Sequence, residues 1–531
     1  MRLHLLFFSL LATSLTAQDL SDRHIVLQEM TIPNMPGLQS FAWGQHDGEW
    51  LLVGGRTDGL HRRQPFAAFL ATDNNTMAYA VDPMMQQVWS ASLATLSTGL
   101  FEQLQCTNLE FEQRDTVLYI VGGYGYSPTA ADHITHTKLT AINLPGAIAA
   151  IKNGTPLAPH FRQLDDTRMA VTGGQMGRLN NEFFLVGGQR FIGRYNPMGP
   201  TSGPGFIQEY TNAIRRFQID DDGTNLSIQN FTEVVDTMEL HRRDYNMVRQ
   251  VFPDGTQGFT VFSGVFQYAA DIPWLNTVNV TPAGYTVVAG FEQLLNQYHS
   301  AHLVARSDTA NRTSTVFFGG IGRFFYDANG VLMDDVNVPF VNTISKVERA
   351  PDWSMTETAI GAMPALLGSG AEFLPMPSVP MLANGIIDLD ALSGDTVLAG
   401  HIVGGIESSA PNIFFINTGT QSDATTRLFR VLLVRDMSTD QPELDTAPRD
   451  VLRVTPTDSG DAVLIGLELL SGGPIDLYLL DSRGRRVRNI LSARMPAGSH
   501  QLRADVRDLP PGTYLIELRS ERAAQAVRFV R

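Results

Sequence analysis

The sequence predicts an all-β protein in which one sheet-forming unit occurs about six times and a small β-sandwich follows. Three observations support this. The 531 residues include 47 Gly and 28 Pro with only 18% charged residues, a composition typical of short strands joined by tight turns. A short apolar strand that ends in a pair of glycines recurs along the chain. After residue 448 the spacing of strands changes. The length allows two or three domains.

The recurring strand endings share a β-branched or aromatic run and a final Gly pair, which is Ser-Gly in the fourth copy. They are residues 50–55, 117–123, 183–188, 259–264, 315–320 and 400–405. The second glycines are 68, 65, 76, 56 and 85 residues apart, which fits one four-stranded sheet per repeat. Glycine permits close backbone approach and left-handed backbone angles. The uninterrupted apolar runs predict strands buried on both faces.

Two tryptophans add to this pattern. Trp89 and Trp353 lie 34 and 33 residues after the first and fifth Gly pairs. Together with the Gly-Gly endings they resemble kelch repeats, over residues 38–435. The resemblance implies a kelch-like β-propeller with six blades, or with seven. Whether residues 24–31 complete the last blade stays open.

A second domain is predicted at the C-terminus. Residues 436–448 are polar and contain prolines, which indicates a linker. Short strands are predicted at 451–454, 462–470, 475–480, 500–506, 514–518 and 526–530, with turns at 481–484 and 510–513. This number of strands in residues 449–531 predicts a small Ig-like β-sandwich.

The order of three C-terminal segments carries a further resemblance. Residues 481–487, 509–516 and 527–531 resemble the type A C-terminal sorting domain of the Bacteroidetes type IX secretion system, although residues 455–457 read Thr-Pro-Thr where that domain has Pro-Asn-Pro. The resemblance implies that residues 449–531 engage the secretion machinery. The protein would then cross the outer membrane and be released or attached at the cell surface.

The N-terminus has the pattern of an export signal. Arg2 precedes an apolar run over residues 5–15, and Ala17 offers a cleavage site. The expected order is therefore a signal peptide at 1–17, the propeller at 18–435, the linker and the sorting domain. No later run of about 18 apolar residues predicts a transmembrane segment. The expected location is extracellular or on the outer cell surface.

The charge distribution limits the kinds of partner that the protein can bind, and the cysteine content limits its disulfides. Residues 449–531 hold 13 Arg against 10 Asp and Glu, a net charge of +3, so the whole-chain charge of −15 leaves −18 on the rest. An acidic main body disfavours nucleic acid as a partner. Cys106 is the only cysteine, so no intrachain disulfide forms. A monomer is expected.

Candidate ligand-binding residues follow the Gly pairs, where loops should gather at one mouth of the central channel. They are Arg56, Tyr124, Arg190, Arg323 and Glu407. Converging arginines bind carboxylates or other anions through paired hydrogen bonds, and nearby aromatic rings suit sugars. The alternative is that these arginines pair with acids of neighbouring blades.

Three other groups of residues stand out in the sequence, but none of them predicts a ligand or metal site. Leu-His-Arg-Arg occurs at 60–63 and 240–243, at different places relative to the Gly pairs, which favours chance or local loop pairing. The His pairs 133/136 and 299/302 lack an accompanying carboxylate pattern. The Asp-rich segments 220–223 and 327–330 are typical of hairpin turns. No metal and no cofactor are predicted.

The sequence favours a binding or adhesion module for a glycan or protein ligand. The alternative is a kelch-type carbohydrate-active enzyme such as a sugar mutarotase or epimerase. A copper oxidase resembling galactose oxidase is less favoured, because no Tyr-His constellation accompanies Cys106. No Gly-x-Ser-x-Gly elbow, phosphate loop or His-Glu-x-x-His motif occurs. The sequence therefore establishes no catalytic activity.

Overall fold

The structure is a computed structural model that describes part of the chain. The described residues are 20, 22–64, 66–196, 205–436, 450–457, 461–481, 485–520 and 524–531. The chain divides into two compact units, Met1–Met437 and Ser438–Arg531. The predicted signal peptide lies outside the described residues, and so does all of the predicted linker except Asp436.

The first unit consists mainly of antiparallel β-strands. In its first half they are β1 (Arg23–Met30), β2 (Ala42–His46), β3 (Glu49–Val53), β4 (Met77–Asp82), β5 (Gln87–Ser92), β6 (Glu110–Arg114), β7 (Val117–Val121), β8 (Tyr124–Ser127), β9 (Asp132–Thr135), β10 (Lys138–Asn143), β11 (Phe161–Asp165), β12 (Gln175–Leu179), β13 (Glu182–Val186), β14 (Gln189–Ile192), β15 (Ile207–Tyr210), β16 (Ala213–Asp221) and β17 (Leu226–Val235). Two helices, α1 (Thr98–Leu104) and α2 (Leu144–Asn153), lie in the same half.

The second half of this unit continues in the same way. Its strands are β18 (Asn246–Val251), β19 (Gln257–Phe262), β20 (Thr277–Thr281), β21 (Gly284–Val287), β22 (His302–Ser307), β23 (Arg312–Ile321), β24 (Phe324–Tyr326), β25 (Leu332–Asp334), β26 (Phe340–Arg349), β27 (Met355–Ala362), β28 (Leu366–Pro375), β29 (Ile387–Asp388), β30 (Thr396–Ser408), β31 (Ser422–Ala424) and β32 (Leu428–Arg435).

Six sheets with a four-strand path follow one another along the chain, and we number them blades 1 to 6. Their strand orders are β2-β3-β4-β5, β6-β7-β10-β11, β12-β13-β16-β17, β18-β19-β20-β21, β22-β23-β26-β27 and β28-β30-β32-β1. The N-terminal strand β1 is thus the outer strand of blade 6, with Leu27 opposite Val431. This settles the question about residues 24–31, and the predicted all-β propeller-like fold is confirmed.

Neighbouring blades are held together by apolar contacts. The second strand of each blade is buried on both faces, because alternate side chains point to opposite neighbours. In β3, Leu51 and Val53 pack towards blade 2, whereas Trp50 and Leu52 pack towards blade 6. Similar buried clusters lie between the other neighbouring blades. The cluster between blades 6 and 1 shows that the ring is closed.

The Gly pairs mark the points where one blade meets the chain entering the next. Both residues of every pair have a positive φ, and Ser263 keeps this conformation with a φ of 53°. The N–H of Gly55 donates to Cys106 O at 2.7 Å, and that of Gly405 donates to Leu38 O at 2.8 Å. The second of these bonds again joins blade 6 to blade 1. Glycine recurs here because this conformation and close approach leave little space for a Cβ.

Several short strands form within the loops of this unit. Four of them, in the order β15-β14-β9-β8, form a separate sheet from the loops of blades 2 and 3. The hairpin of β24 and β25 turns at residues 327–330, where Asp327 Oδ1 accepts hydrogen bonds from Asn329 N and Val331 N. Two short strands extend blades, β29 beside β22 and β31 beside β30.

The second unit is a two-sheet sandwich. Its strands are β33 (Val451–Pro456), β34 (Ala462–Leu469), β35 (Gly473–Asp481), β36 (Arg486–Met495), β37 (Gly498–Asp505), β38 (Thr513–Ser520) and β39 (Ala524–Val530). The sheets have the orders β33-β34-β37 and β36-β35-β38-β39, and their inner faces share one apolar core. Strand β36 was not among the predicted strands. In the described part of the chain, no helix is long and apolar enough to cross a bilayer.

Candidate functional site

Arg56 and Tyr124, two of the predicted ligand-binding residues, are buried in contacts within the protein. Arg56 is only 2% exposed. It donates to both carboxylate oxygens of Asp58, at 2.6 and 2.8 Å, and to Asn74 Oδ1 at 2.8 Å. The Tyr124 hydroxyl donates to Gly193 O at 2.7 Å, and burial raises the pKa of this phenol. These contacts leave little of either side chain for a ligand.

The other three predicted residues form ion pairs. Each partner belongs to the same hairpin or blade, rather than to a neighbouring blade as the sequence suggested. The pairs are Arg190 with Glu209 at 2.8 Å, Arg323 with Asp334 at 2.6 Å, and Glu407 with Arg427 at 3.2 Å. None of the five predicted residues lines the axial cavity described below.

The centre of the propeller is built instead from residues just before the first strand of blades 1 to 5 and from Gly370 within the first strand of blade 6. We call them the axial ring: Ser40, Asn108, Gly173, Asp244, His299 and Gly370. Backbone N–H groups donate around this ring from Asn108 to Ser40, Ser40 to Gly370, Gly370 to His299, His299 to Asp244 and Asp244 to Gly173, at 2.7–3.2 Å. The Thr172 hydroxyl, beside Gly173, donates to Asn108 O at 3.1 Å and completes the circle.

A narrow polar cavity adjoins the axial ring. Its walls include Glu110, Gln175 and Glu372. Glu372 pairs with His299 Nε2 at 3.1 Å and accepts from Trp43 Nε1 at 3.2 Å. The volume open to water inside the cavity is about 30 Å³, and one bound water needs roughly 10–15 Å³ of such volume. The cavity therefore has room for two or three waters and is too small for a sugar ring.

Glu110 is the most perturbed acid in this cavity. It is 3% exposed, and its Oε1 accepts a hydrogen bond from Gly174 N at 2.8 Å. Burial raises the pKa of Glu110 to about 8, and the charge of Asp244 adds to the rise. The folded protein therefore holds a proton on Glu110 between roughly pH 4.3, the ordinary pKa, and pH 8, whereas the unfolded chain does not. Stability falls as the pH rises through this window.

Glu110→Gln is expected to remove that pH-dependent loss, because the amide keeps the Oε1 acceptor and carries no charge. The variant should match the wild type near pH 4 and exceed its free energy of unfolding by roughly 1–3 kcal/mol at pH 8. Urea unfolding at a series of pH values measures the difference. A difference that is constant with pH would contradict a proton on Glu110 in the folded protein.

Arg243 lies next to the axial ring and is the centre of a second cluster. Its Nη1 donates to Asp244 Oδ2 at 2.6 Å, and its Nε donates to the Tyr210 hydroxyl at 2.9 Å. The guanidinium lies 4.9 Å from the centre of the Phe266 ring. Arg243 is thus held in a fixed orientation by an acid, a phenol and an aromatic face.

Aromatic side chains from other loops surround this guanidinium. Burial raises the pKa of Tyr195 and of Tyr298, and the charge of Arg243 opposes the rise at both. Burial lowers the pKa of His61 to about 4, and Arg243 lowers it further. The charge of Arg243 thus acts on all three side chains, and the rings of His61 and Tyr195 are in contact, with their centres 4.8 Å apart. Loops of blades 1, 3, 4 and 5 therefore converge here, and we call Arg243, Tyr195, Tyr210, Tyr298, His61 and Phe266 the mouth cluster.

Several hydrogen-bond donors of the mouth cluster are open. Among the described residues, no group accepts a hydrogen bond from Arg243 Nη2, from the Tyr195 hydroxyl or from the Tyr298 hydroxyl. Because burial raises both phenol pKa values, the hydroxyls stay protonated at neutral pH. The cluster thus combines donors and aromatic faces with the carboxylate of Asp244. A ligand with several hydroxyls matches this set, since each hydroxyl both donates and accepts.

The two Leu-His-Arg-Arg segments build similar local structures on these loops. His61 stacks on Phe69 with ring centres 5.4 Å apart, and His241 stacks between Tyr210 and Tyr268 at 3.8 and 4.0 Å. The second arginine of each segment covers a phenylalanine: Arg63 covers Phe415, and Arg243 covers Phe266. The sequence pattern alone does not reveal that the second copy supplies the central arginine of the mouth cluster.

No metal centre accompanies these clusters. Within the described ranges, no three His, Cys, Asp or Glu side chains are grouped so that they could hold a metal ion. His133 Nε2 lies 2.8 Å from Phe69 O, and His302 Nδ1 lies 3.2 Å from Ser300 O. In the two His pairs, His133 and His302 thus contact backbone carbonyls, and His299 pairs with Glu372.

The chain has no match among known protein-family models, but it is similar in structure to solved proteins. No protein-family model matches the chain, and no curated protein matches it. The chain is similar to the solved structure of YjhT, with a TM-score of 0.42 and 11% identity over 76% of this chain and 99% of that one. The propeller-like fold assignment rests on the six sheets and their closure.

Proposed function

We propose that this chain is a binding or adhesion module that holds a glycan at the mouth cluster of its propeller. The observation that carries the proposal is the convergence of loops from four blades on Arg243, with open donors and aromatic faces around it. Sugars are bound by aromatic faces together with a few oriented polar groups. A protein ligand with exposed polar side chains is the second class that such a surface accommodates.

Binding without turnover is favoured by the size of the axial cavity. Its room of about 30 Å³ admits waters but no sugar ring, so a ligand stays on the open side of the axial ring. The acids of the cavity, such as Glu110 and Glu372, then lie beneath the ligand rather than around it. An enzyme would need an acid or base within hydrogen-bond distance of the reacting atom.

Replacing the central arginine is expected to abolish most of the binding. Arg243→Met should weaken the affinity for the bound glycan at least about tenfold, because it removes the charged donors. Tyr298→Phe, which removes only one hydroxyl, should weaken it by less. Arg190→Met is the matched control, since Arg190 is exposed and paired with Glu209. A glycan array followed by calorimetry on the full mature chain measures these effects.

The results that would contradict this role are specific. Failure of the wild-type chain to bind any glycan on the array would refute the glycan ligand. Equal affinities of Arg243→Met and wild type for a bound glycan would refute the mouth cluster as its site. Thermal unfolding of each variant shows whether the fold is retained.

We also propose that the repeats are kelch repeats. The Gly pairs support this assignment, since their residues have the same left-handed conformation in all six blades. In blades 1, 2, 3 and 6 the N–H of the second glycine also donates to a backbone carbonyl of the chain entering the next blade. Ser263 in the fourth copy preserves that conformation. The repeat is therefore defined by backbone geometry as much as by residue type.

The second unit is proposed to direct export through the type IX secretion system, after cleavage of a signal peptide at Ala17. The turn at residues 510–513 supports this assignment: the Tyr514 hydroxyl donates to Pro510 O at 2.9 Å, and Gly512 and Arg531 exchange backbone hydrogen bonds at 3.0 and 3.1 Å. The turn and the chain end thus form one structural feature. Residues 482–484 of the first matching segment lie outside the described residues.

Deletion of residues 449–531 is expected to trap the protein in the periplasm, because the secretion machinery would lose its recognition element. Cell fractionation and immunoblotting of the deletion strain beside the full-length strain measure the distribution. Delivery of the shortened protein to the cell surface at the full-length level would refute the sorting role.

A further inference from the structure

A second surface lies on two adjoining loops of blades 1 and 6. Asn417 Nδ2 donates to the backbone oxygens of Leu60 and His61 at 2.7 and 3.0 Å, and Arg63 N donates to Asn417 O at 3.3 Å. These bonds fix the loop around residue 63 against the loop around residue 417. We call the surface of this pair the loop patch; it consists of the exposed Phe66, Phe415 and Ile416 and the half-buried Arg62 and Arg63.

The apolar members of the loop patch are largely open to solvent. Phe66 is 70% exposed, Phe415 is 53% exposed and Ile416 is 61% exposed. Given that a large apolar side chain presents about 150–250 Å² when free, the three together offer roughly 300–400 Å². The largest exposed apolar patch of a monomeric protein commonly measures about 300–600 Å² and is often functional, so an area of this size is sufficient for an interaction site.

The charged members of the loop patch, Arg62 and Arg63, have no acidic side chain as an ion-pair partner among the described residues. Arg63 lies 5.1 Å above the ring of Phe415 and donates to Phe415 O at 3.4 Å, and the Arg62 guanidinium packs on Gly419. Among the described residues, neither arginine has a carboxylate partner within 4.0 Å, whereas Arg56, Arg323 and Arg427 in the same unit do. The loop patch is therefore a cationic spot on an acidic unit.

Composition and area together indicate the kind of partner. Aromatic residues and Arg are enriched at the centres of protein interfaces, while Lys, Asp and Glu are depleted there. The apolar area is well below the roughly 800 Å² that each side of a standard interface between folded proteins buries, so a short segment fits better than a whole domain. Charge complementarity requires that the segment be acidic.

We propose that the loop patch binds an acidic, extended peptide segment of a partner protein. Apolar side chains of the segment cover Phe66, Phe415 and Ile416, and its carboxylates pair with Arg62 and Arg63 in the two-bond geometry that guanidinium groups favour. This inference does not depend on the proposed glycan site, because no residue of the loop patch belongs to the mouth cluster.

The test uses the full mature chain and fluorescence anisotropy with a positional library of labelled peptides that combine acidic and apolar residues. Binding should be detected for acidic-apolar peptides and should weaken at least about tenfold in Phe415→Ser and in Arg63→Ser. Added salt should also weaken it. Met84→Ser is the matched control, since Met84 is 71% exposed on the hairpin between β4 and β5, and it should leave the affinity unchanged.

Three outcomes would overturn the proposal. Affinity weaker than about 1 mM for every acidic-apolar peptide is the first. The second is equal binding of peptides in which lysines replace the acids. The third is patch-dependent cosedimentation with vesicles of anionic phospholipid in the absence of peptide binding, which would assign the loop patch to a membrane surface. Circular dichroism of Phe415→Ser and Arg63→Ser verifies that both variants are folded.

Discussion

Gly319→Ala is expected to destabilise the propeller by at least about 3 kcal/mol. Gly319 is the first residue of the fifth Gly pair and has a φ of 61°, so any Cβ is strained in this conformation. A Cβ at this position would lie 1.9 Å from Leu367 O. That carbonyl belongs to the backbone of blade 6, which cannot rotate aside as a side chain could. Urea unfolding followed by tryptophan fluorescence measures the loss.

Gly223→Ala separates the cost of the conformation from the cost of the contact. Gly223 also has a positive φ, 87°, but no atom would lie within 4 Å of its Cβ. The expected loss is about 1 kcal/mol, which is the cost of the left-handed conformation alone. Equal losses in the two variants would show that the Gly pairs do not serve close contact between blades.

Arg56→Met is expected to cost about 2–4 kcal/mol, because it removes a buried guanidinium and leaves the half-buried carboxylate of Asp58 without its partner. Arg56 also binds Asn74 Oδ1 and lies 3.6 Å from Asp73. Burial already raises the pKa of Asp58, and Arg56 opposes the rise. Without Arg56 that pKa rises further, so the loss of stability in the variant should increase as the pH is raised from about 4 to 7.

Two further variants test the cause of this loss. Adding Asp58→Asn to Arg56→Met should restore part of the stability at pH 7, because no unpaired charge remains. Arg190→Ala should change the free energy of unfolding by less than about 0.5 kcal/mol, since its pair with Glu209 is exposed. A loss in Arg56→Met that does not depend on pH would contradict the role assigned to Asp58.

The repeating part of the fold could be predicted from the sequence because its constraint falls on one residue type. Close approach and a positive φ select glycine, and the six Gly pairs therefore located the second strand of every blade. The sandwich was predicted with less detail. Strand β36, which has the sequence RVRNILSARM, was missed because it lies at the edge of its sheet and carries mostly exposed side chains, so it lacks an alternating apolar pattern.

The candidate site could not be predicted in the same way. The positions after the Gly pairs were expected on loops, but Glu407 lies within β30, and Tyr124 and Arg190 lie in the short strands β8 and β14. The arginines at these positions, such as Arg56 and Arg323, are paired with acids near them in the chain. The residues of the axial ring occupy similar backbone positions in the six blades but are mostly of different types. A weak signal existed, since Ser40, Asn108 and Asp244 are residue types that tolerate the positive φ found there. The tyrosines around Arg243 come from loops with no common spacing.

The most direct test of the proposed role is proton NMR of a glycan selected on the array, recorded with the full mature chain. A binding module predicts saturation transfer from protein to glycan that is lost in Arg243→Met, with the glycan spectrum unchanged after prolonged incubation. The opposite result is the appearance of a new anomer or product at a rate above that in buffer. Such turnover would show that the mouth cluster belongs to a carbohydrate-active enzyme.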